Sequence, residues 1–151
     1  MLARSAAERR RRAGLKQSRL DHFREQAGFC FAFGSPFTAR LIEAMARDLE
    51  AGGPTAALVG DWPGPPRADT FSLRLAGALH AAALSGRDAA LSAPYPAAQP
   101  DGDADAVWAA ARAFVTRERA WVEGFLRSPP QTNEPRTLGI TDGHVRFIGS
   151  P

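Results

Sequence analysis

The sequence predicts an all-α fold, an irregular bundle of four to five helices that follows a flexible basic N-terminal arm and precedes a short hairpin-like C-terminal tail. Apolar residues recur at helical spacing in several stretches between residues 18 and 127, and glycine- or proline-rich segments separate these stretches. No strand-like alternation occurs before residue 135. With 151 residues, 44% of them hydrophobic, the chain can bury one core. We therefore expect one helical domain over residues 19–134.

Residues 1–18 are expected to form a disordered, solvated arm, because they are highly charged and poor in large apolar side chains. Residues 1–19 carry a net charge of +6 and the whole chain carries +3, so residues 20–151 carry −3. A mildly acidic folded part is not typical of a nucleic-acid-binding domain. The arm itself is a candidate for weak, sequence-independent phosphate contacts. The side chains that would make them are Arg9, Arg10, Arg11 and Arg12.

The first two helices have clear start and stop signals. A capping-box-like segment at residues 18–21 starts the first helix, and Gly34 ends it. Ser35 as the N-cap and Pro36 at the first helical position start the second helix. Its end is expected at Gly52, in a left-handed cap.

Further helices are expected downstream. Residues 54–59 predict a short helix, and Asp69 is a plausible cap for a helix that ends at Gly86. Residues 88–91 form about one more turn. The longest helix is expected between residues 103 and 127, where one face stays apolar throughout.

The expected core consists of apolar side chains on the inward faces of these helices. They are Phe23, Phe31, Phe37, Leu41, Met45, Leu49, Leu75, Leu79, Val107, Ala111, Phe114, Val122 and Phe125.

Residues 135–151 are expected to form a tail, either a β-hairpin or a frayed segment. Two strand-like runs, residues 137–141 and 144–148, flank an Asp-Gly pair, the favoured two-residue hairpin turn. An isolated hairpin is marginally stable in water, so this one must pack on the helices or fray.

Catalytic, metal and cofactor motifs are not identified. The acidic residues 101–105 lack the later glycine and glutamate of a calcium loop and are expected to stabilise a helix N-terminus. The three histidines, His22, His80 and His144, lack the spacing of a zinc site. Cys30 lies among phenylalanines and is expected to act as a small hydrophobe. We therefore predict no cofactor, and catalysis by this chain alone is not expected.

The polar loop at residues 129–134 is the leading functional candidate. Two prolines stiffen it, and the residues after them place hydrogen-bond donors and acceptors in a small space. These candidate site residues are Gln131, Thr132, Asn133 and Glu134. The alternative interpretation is polar capping at a helix C-terminus. Residues 135–151 are expected to be too few to enclose a pocket around the loop.

At this loop the sequence resembles the bacterial domain-of-unknown-function 2332 family. The matching segments are GSPF at residues 34–37, DLEAGGP at 48–54, LRLAGALH at 73–80, LSGRD at 84–88 and PPQTNE at 129–134. Together they span about residues 20 to 135, and the last is the most specific. The family has no assigned activity, so the resemblance implies little about function.

The resemblance also implies that longer family members continue well beyond the loop. Their second half looks like a strand and a glycine-containing turn leading into a helix, which is reminiscent of nucleotide- or S-adenosylmethionine-binding folds. This chain departs from the pattern after Glu134 or Pro135. A truncated gene, a frame-disrupted gene or a fragment would explain the departure.

Three hypotheses on function follow. The leading one is a non-enzymatic docking or lid module for a missing C-terminal α/β half. The second is an enzyme fragment whose loop at residues 131–134 joins a methyl-donor site once that half is present. The third is a nucleic-acid accessory protein that acts through the arm. The sequence contains no run of about 18 apolar residues, so no membrane span is expected. The single cysteine favours a reducing cytoplasm as the compartment.

Overall fold

The computed structural model describes residues 5–95, 103–128, 139–141 and 144–146. The elements in these ranges are α1 (Ala6–Ala32), α2 (Pro36–Ala51), α3 (Pro54–Gly60), α4 (Phe71–Leu84), α5 (Ala89–Ser92), α6 (Ala104–Arg117), α7 (Arg119–Arg127), β1 (Gly139–Thr141) and β2 (His144–Arg146). The predicted all-α class is confirmed. Helix α2 lies at the centre, because it packs against α1, α3, α4 and α6.

Helix α1 begins at Ala6, three turns before the start expected at residue 18, so residues 6–18 are helical instead of forming a disordered arm. Ser5 caps the helix by accepting the Glu8 N–H at 3.2 Å. Alanine, arginine and glutamate favour helix even without an apolar face. Every residue from 5 to 18 is exposed.

The turn between α1 and α2 and the turn between α2 and α3 use glycines as expected. Gly34 and Gly52 have φ values of 83° and 78°, in the left-handed region that favours glycine. Pro36 starts α2, although the Ser35 side chain makes no capping hydrogen bond. The N-cap of α4 is Thr70 and not Asp69, because the Asp69 carboxylate accepts the Trp62 indole N–H at 2.7 Å.

The long helix expected over residues 103–127 is broken into α6 and α7. Glu118 separates them with φ −105° and ψ 32°, while its N–H still donates to the Phe114 carbonyl at 2.7 Å. The break changes the packing partner, since α6 packs on α2 whereas α7 packs on α4. It also lets the Trp121 ring pack edge-on against Phe114, with the ring centroids 5.8 Å apart.

The core contains most of the side chains expected there. Three of the expected residues are corrected: Phe31 is 69% exposed, and Phe37 and Phe125 are half-buried. Phe31 lies about 80° around the axis of α1 from Phe23, which is fully buried, so Phe31 falls outside the buried face of the helix. The remaining ten are buried, namely Phe23, Leu41, Met45, Leu49, Leu75, Leu79, Val107, Ala111, Phe114 and Val122.

The two strands pair antiparallel, with Gly139 opposite Arg146, Ile140 opposite Val145 and Thr141 opposite His144. The turn expected at residues 142–143 lies outside the described residues.

Candidate functional site

The structure describes one of the two predicted groups of site residues and not the other. The loop residues 131–134 lie outside the described residues, so their role stays a prediction. Arg9, Arg10, Arg11 and Arg12 lie on the first turns of α1, and all four are exposed. Consecutive helical positions point about 100° apart, so these four cations surround the helix rather than sharing one face.

A groove between α2 and α4 is lined largely by one of the segments that carry the family resemblance. We call it the α4 groove, and its volume is about 260 Å³. The residues that line it are Thr38, Leu41, Leu73, Ala76, Gly77, His80 and Tyr95. Four of these seven belong to the segment at residues 73–80, and Thr38 directly follows the segment at residues 34–37.

Helical spacing explains how α4 forms its side of the groove. Leu73, Gly77 and His80 follow one another at intervals of four and three residues, so they share one face of α4. Leu73 is 42% exposed although it is apolar. Gly77 has no side chain to fill the space between Leu73 and His80, which leaves the middle of the groove open.

A hydrogen-bonded pair of polar side chains lies at one end of the α4 groove. His80 Nδ1 lies 3.0 Å from the Tyr95 hydroxyl, and the two ring centroids are 5.6 Å apart. Burial raises the pKa of Tyr95 to about 12, so the phenol stays protonated at neutral pH. The pair is therefore suited to hydrogen bonding with a partner, while a phenolate base or nucleophile is disfavoured.

Helix α5 positions Tyr95 at this place. Asp88 caps α5 by accepting the Leu91 N–H at 2.8 Å, and fully buried Leu91 anchors the turn. The Tyr95 N–H donates to the Ser92 carbonyl at 3.2 Å. Phe37 then packs edge-on against the Tyr95 ring, with centroids 5.5 Å apart. The segment at residues 84–88 therefore supports the groove through Asp88.

Arg74, next to Leu73 on α4, holds the C-terminal end of α7. Its Nη1 donates to the Leu126 carbonyl at 2.9 Å and to the Ser128 carbonyl at 3.5 Å. These carbonyls are among the last of the helix and have no partner within it, so a cation stabilises them. The contact holds the end of α7 on α4. Helix α7 also lies near the α4 groove, since a Cβ added at Gly77 would be 3.9 Å from Phe125 Cε1.

The segment at residues 48–54 has a structural role. Asp48 is only 5% exposed, and its carboxylate accepts the Thr55 N–H at 2.8 Å and pairs with Arg112 Nε at 3.1 Å. Gly53 passes so close that an added Cβ would lie 2.6 Å from Asp48 Cγ. This carboxylate therefore joins α2, α3 and α6.

Two residues that could carry chemistry, His22 and Cys30, have structural roles in this fold. His22 is 4% exposed, and its Nε2 accepts the Ser72 N–H at 3.2 Å in the first turn of α4. Burial, with the positive charge of Arg67 adding to it, lowers the pKa of His22 below 6.5, and Glu25 offsets part of this effect. Cys30 is buried, as expected of a small hydrophobe.

Sequence reasoning missed the His80–Tyr95 pair. His80 was treated as an isolated histidine, and Tyr95 lies in a proline-rich segment that offered no pattern. The sequence did offer one signal. His80 ends the segment LRLAGALH, which begins with Leu73, and Leu73 is an exposed apolar residue. Within the described ranges, no group of three His, Cys, Asp or Glu side chains is arranged to hold a metal ion.

The comparisons with known proteins give one match. The model of a family described as "Uncharacterized protein conserved in bacteria (DUF2332)" matches residues 20–139. No curated protein and no solved structure matches the chain. In the part of the chain that the structure describes, no helix is both long and apolar enough to cross a membrane.

Proposed function

The chain belongs to the DUF2332 family of uncharacterized bacterial proteins, and we propose that it is a helical docking module for the α/β half that the resemblance implies for longer family members. In this proposal the α4 groove receives polypeptide from that half. The module supplies a shaped surface and leaves any chemistry to its partner.

The observation that carries the proposal is the position of the groove relative to the end of α7. Arg74 holds the end of α7 on α4. Gly77, which lines the groove, lies near α7, because a Cβ added there would be 3.9 Å from Phe125 Cε1. The chain therefore leaves the described helices close to the α4 groove. Polypeptide that follows the loop in longer members would start beside this groove. Such proximity favours intramolecular docking, because a short connection gives a high effective concentration.

The lining of the groove fits a protein partner. Leu73 offers exposed apolar area, and burying such area is the main favourable term in protein association. The His80–Tyr95 pair offers hydrogen-bonding groups to a partner at one end of the groove.

The test is binding to a separately expressed C-terminal half of a longer family member, measured by isothermal titration calorimetry. We expect Leu73→Asp to weaken the complex by about tenfold or more, because it places a charge within an apolar contact. Leu84→Asp is the matched control, since Leu84 is also an exposed leucine of α4, 58% exposed, and does not line the groove.

Two outcomes would contradict the proposal: no complex with the unaltered chain, or equal weakening by Leu73→Asp and Leu84→Asp. A separate titration of this chain alone with S-adenosylmethionine should give no binding heat. Tight binding by this chain alone would also contradict the docking-module proposal.

A further inference from the structure

A second groove, which we call the α1 groove, lies between α1 and the α2–α3 turn, with a volume of about 460 Å³. It shares no lining residue with the α4 groove. One wall consists of Arg12, Leu15, Lys16 and Arg19 from α1, and Leu49 and Ala56 lie across from them.

The two walls of the α1 groove differ in chemistry. Arg12, Lys16 and Arg19 are spaced four and three residues apart, so three cations share one face of α1. The facing wall carries no charged side chain, and none of the residues that line the groove is acidic. Leu15 is 48% exposed between the cations and adds apolar area to the charged wall.

None of the three cations makes an ion pair with an acidic side chain among the described residues. Among the described residues, Arg12 and Arg19 make no ion pair, whereas seven other arginines do. The paired arginines are Arg24, Arg47, Arg67, Arg87, Arg112, Arg117 and Arg119. Lys16 donates to the Glu50 carbonyl at 2.8 Å, which keeps its ammonium group at the C-terminal end of α2. The positive charge of the groove is therefore not neutralised from within.

We propose that the α1 groove binds an acidic, amphipathic helical segment of a partner protein. The apolar side of such a helix would contact Leu15, Leu49 and Ala56, and its carboxylates would pair with Arg12 and Arg19. This is the helix-in-groove mode of recognition, in which apolar anchors give affinity and charges fix the orientation.

The same features disfavour a nucleic acid as the occupant. None of the residues that line the groove is aromatic, so bases have no stacking surface. The cations lie on one wall only, whereas contact with two phosphate backbones would use both. The apolar facing wall would stay unused by a sugar-phosphate chain.

The test uses a fluorescein-labelled peptide with leucine and glutamate at helical spacing, and its binding is followed by fluorescence anisotropy. We expect Arg12→Gln/Arg19→Gln to weaken binding by about tenfold, as two partly exposed ion pairs are lost. Arg10→Gln/Arg11→Gln removes the same charge from the same helix outside the groove, and we expect a change of about twofold or less.

A third variant separates the apolar contact from the charge. Leu15→Gln leaves the charge unchanged, and we expect it to weaken peptide binding several-fold by removing exposed apolar area. A peptide of the same composition with scrambled spacing should bind more weakly than the helical one. Circular dichroism of each variant shows whether α1 stays helical.

Four results would overturn the proposal. The first is equal weakening by the two double variants, which would indicate non-specific attraction to a cationic helix. The second is Leu15→Gln without effect, and the third is no binding of the peptide by the unaltered chain. The fourth is groove-dependent binding of duplex DNA tighter than that of the peptide, which would assign the groove to nucleic acid.

Discussion

His22 shows how one side chain makes the fold sensitive to pH. Its Nε2 must be unprotonated to accept the Ser72 N–H, and the burial that enforces this geometry also disfavours the imidazolium. The Ser72 amide belongs to the first turn of α4, where N–H groups have no partner within the helix. Protonation of His22 therefore weakens the N-terminal end of α4.

We predict that the free energy of unfolding falls as the pH drops below about 6.5. The pKa of His22 is lower in the folded state than in the unfolded state, so the unfolded chain binds the proton first. The contribution of His22 to stability is complete above the pKa that His22 has in the unfolded chain. It is lost as the pH falls to the lower pKa that His22 has in the folded protein. The slope from this group is at most about 1.4 kcal/mol per pH unit.

Urea unfolding at several pH values measures this slope. In His22→Gln the contribution to the slope should disappear, because glutamine does not titrate. An identical slope in the altered and unaltered chains would contradict the assignment to His22.

At the scale of an element, the α2–α3 turn depends on the close approach of Gly53 to the buried Asp48 carboxylate. A side chain at residue 53 would push this carboxylate away from Thr55 and Arg112. Thr55 would then lose a buried hydrogen bond, and the buried carboxylate would lose its ion pair with the exposed Arg112.

We predict that Gly53→Ala lowers the free energy of unfolding by about 2–3 kcal/mol. Gly28→Ala is the matched control, because Gly28 lies within α1 and an added Cβ would meet no atom within 4 Å. Alanine favours helix over glycine, so this control should raise stability by about 0.5–1 kcal/mol. Urea unfolding measures the stability of both variants. If Gly53→Ala and Gly28→Ala change the free energy of unfolding in the same direction, the clash with the Asp48 carboxylate does not determine the effect at residue 53.

The break between α6 and α7 depends on the packing of Trp121. Its ring contacts Phe114 and Phe125, and the Arg87 guanidinium lies 4.8 Å from its centroid. Arg87 also pairs with Glu118, the residue at the break, at 3.5 Å. The apolar contacts are the larger contribution, because the ion pair is partly exposed.

We predict that Trp121→Ala lowers the free energy of unfolding by about 2–4 kcal/mol, and Arg87→Ala by about 1 kcal/mol or less. Thermal unfolding of the two variants followed by circular dichroism gives this comparison. Phe33→Ala serves as the control, since Phe33 is 83% exposed and its loss should change little. A larger effect of Arg87→Ala would mean that charge, and not packing, orients α7.

At the scale of the whole molecule, the sequence predicted those features that depend on local chemistry. Glycine positions marked the helix ends at Gly34 and Gly52, and helical spacing identified ten of the thirteen expected core residues. The class of the fold and the family also followed from the residues.

Features that depend on tertiary contacts were not predictable from local patterns. The break at Glu118 contains neither glycine nor proline, and it exists because α7 packs on α4 instead of α2. The first turns of α1 have no apolar face, so the periodicity that reveals other helices is missing there. His80 and Tyr95 lie fifteen residues apart and meet only through the position of α5.

The exposed start of α1 has a consequence for the thermodynamics of the molecule. Before Leu20 no described side chain of this helix is buried, so its first turns depend on a helix–coil equilibrium with little tertiary support. Arg12, Lys16 and Arg19 reach common alignment only in the helical form. Ligand binding to the α1 side of the α1 groove is therefore thermodynamically linked to the helix content of the first turns of α1. An acidic ligand would stabilise the helical turns that bind it.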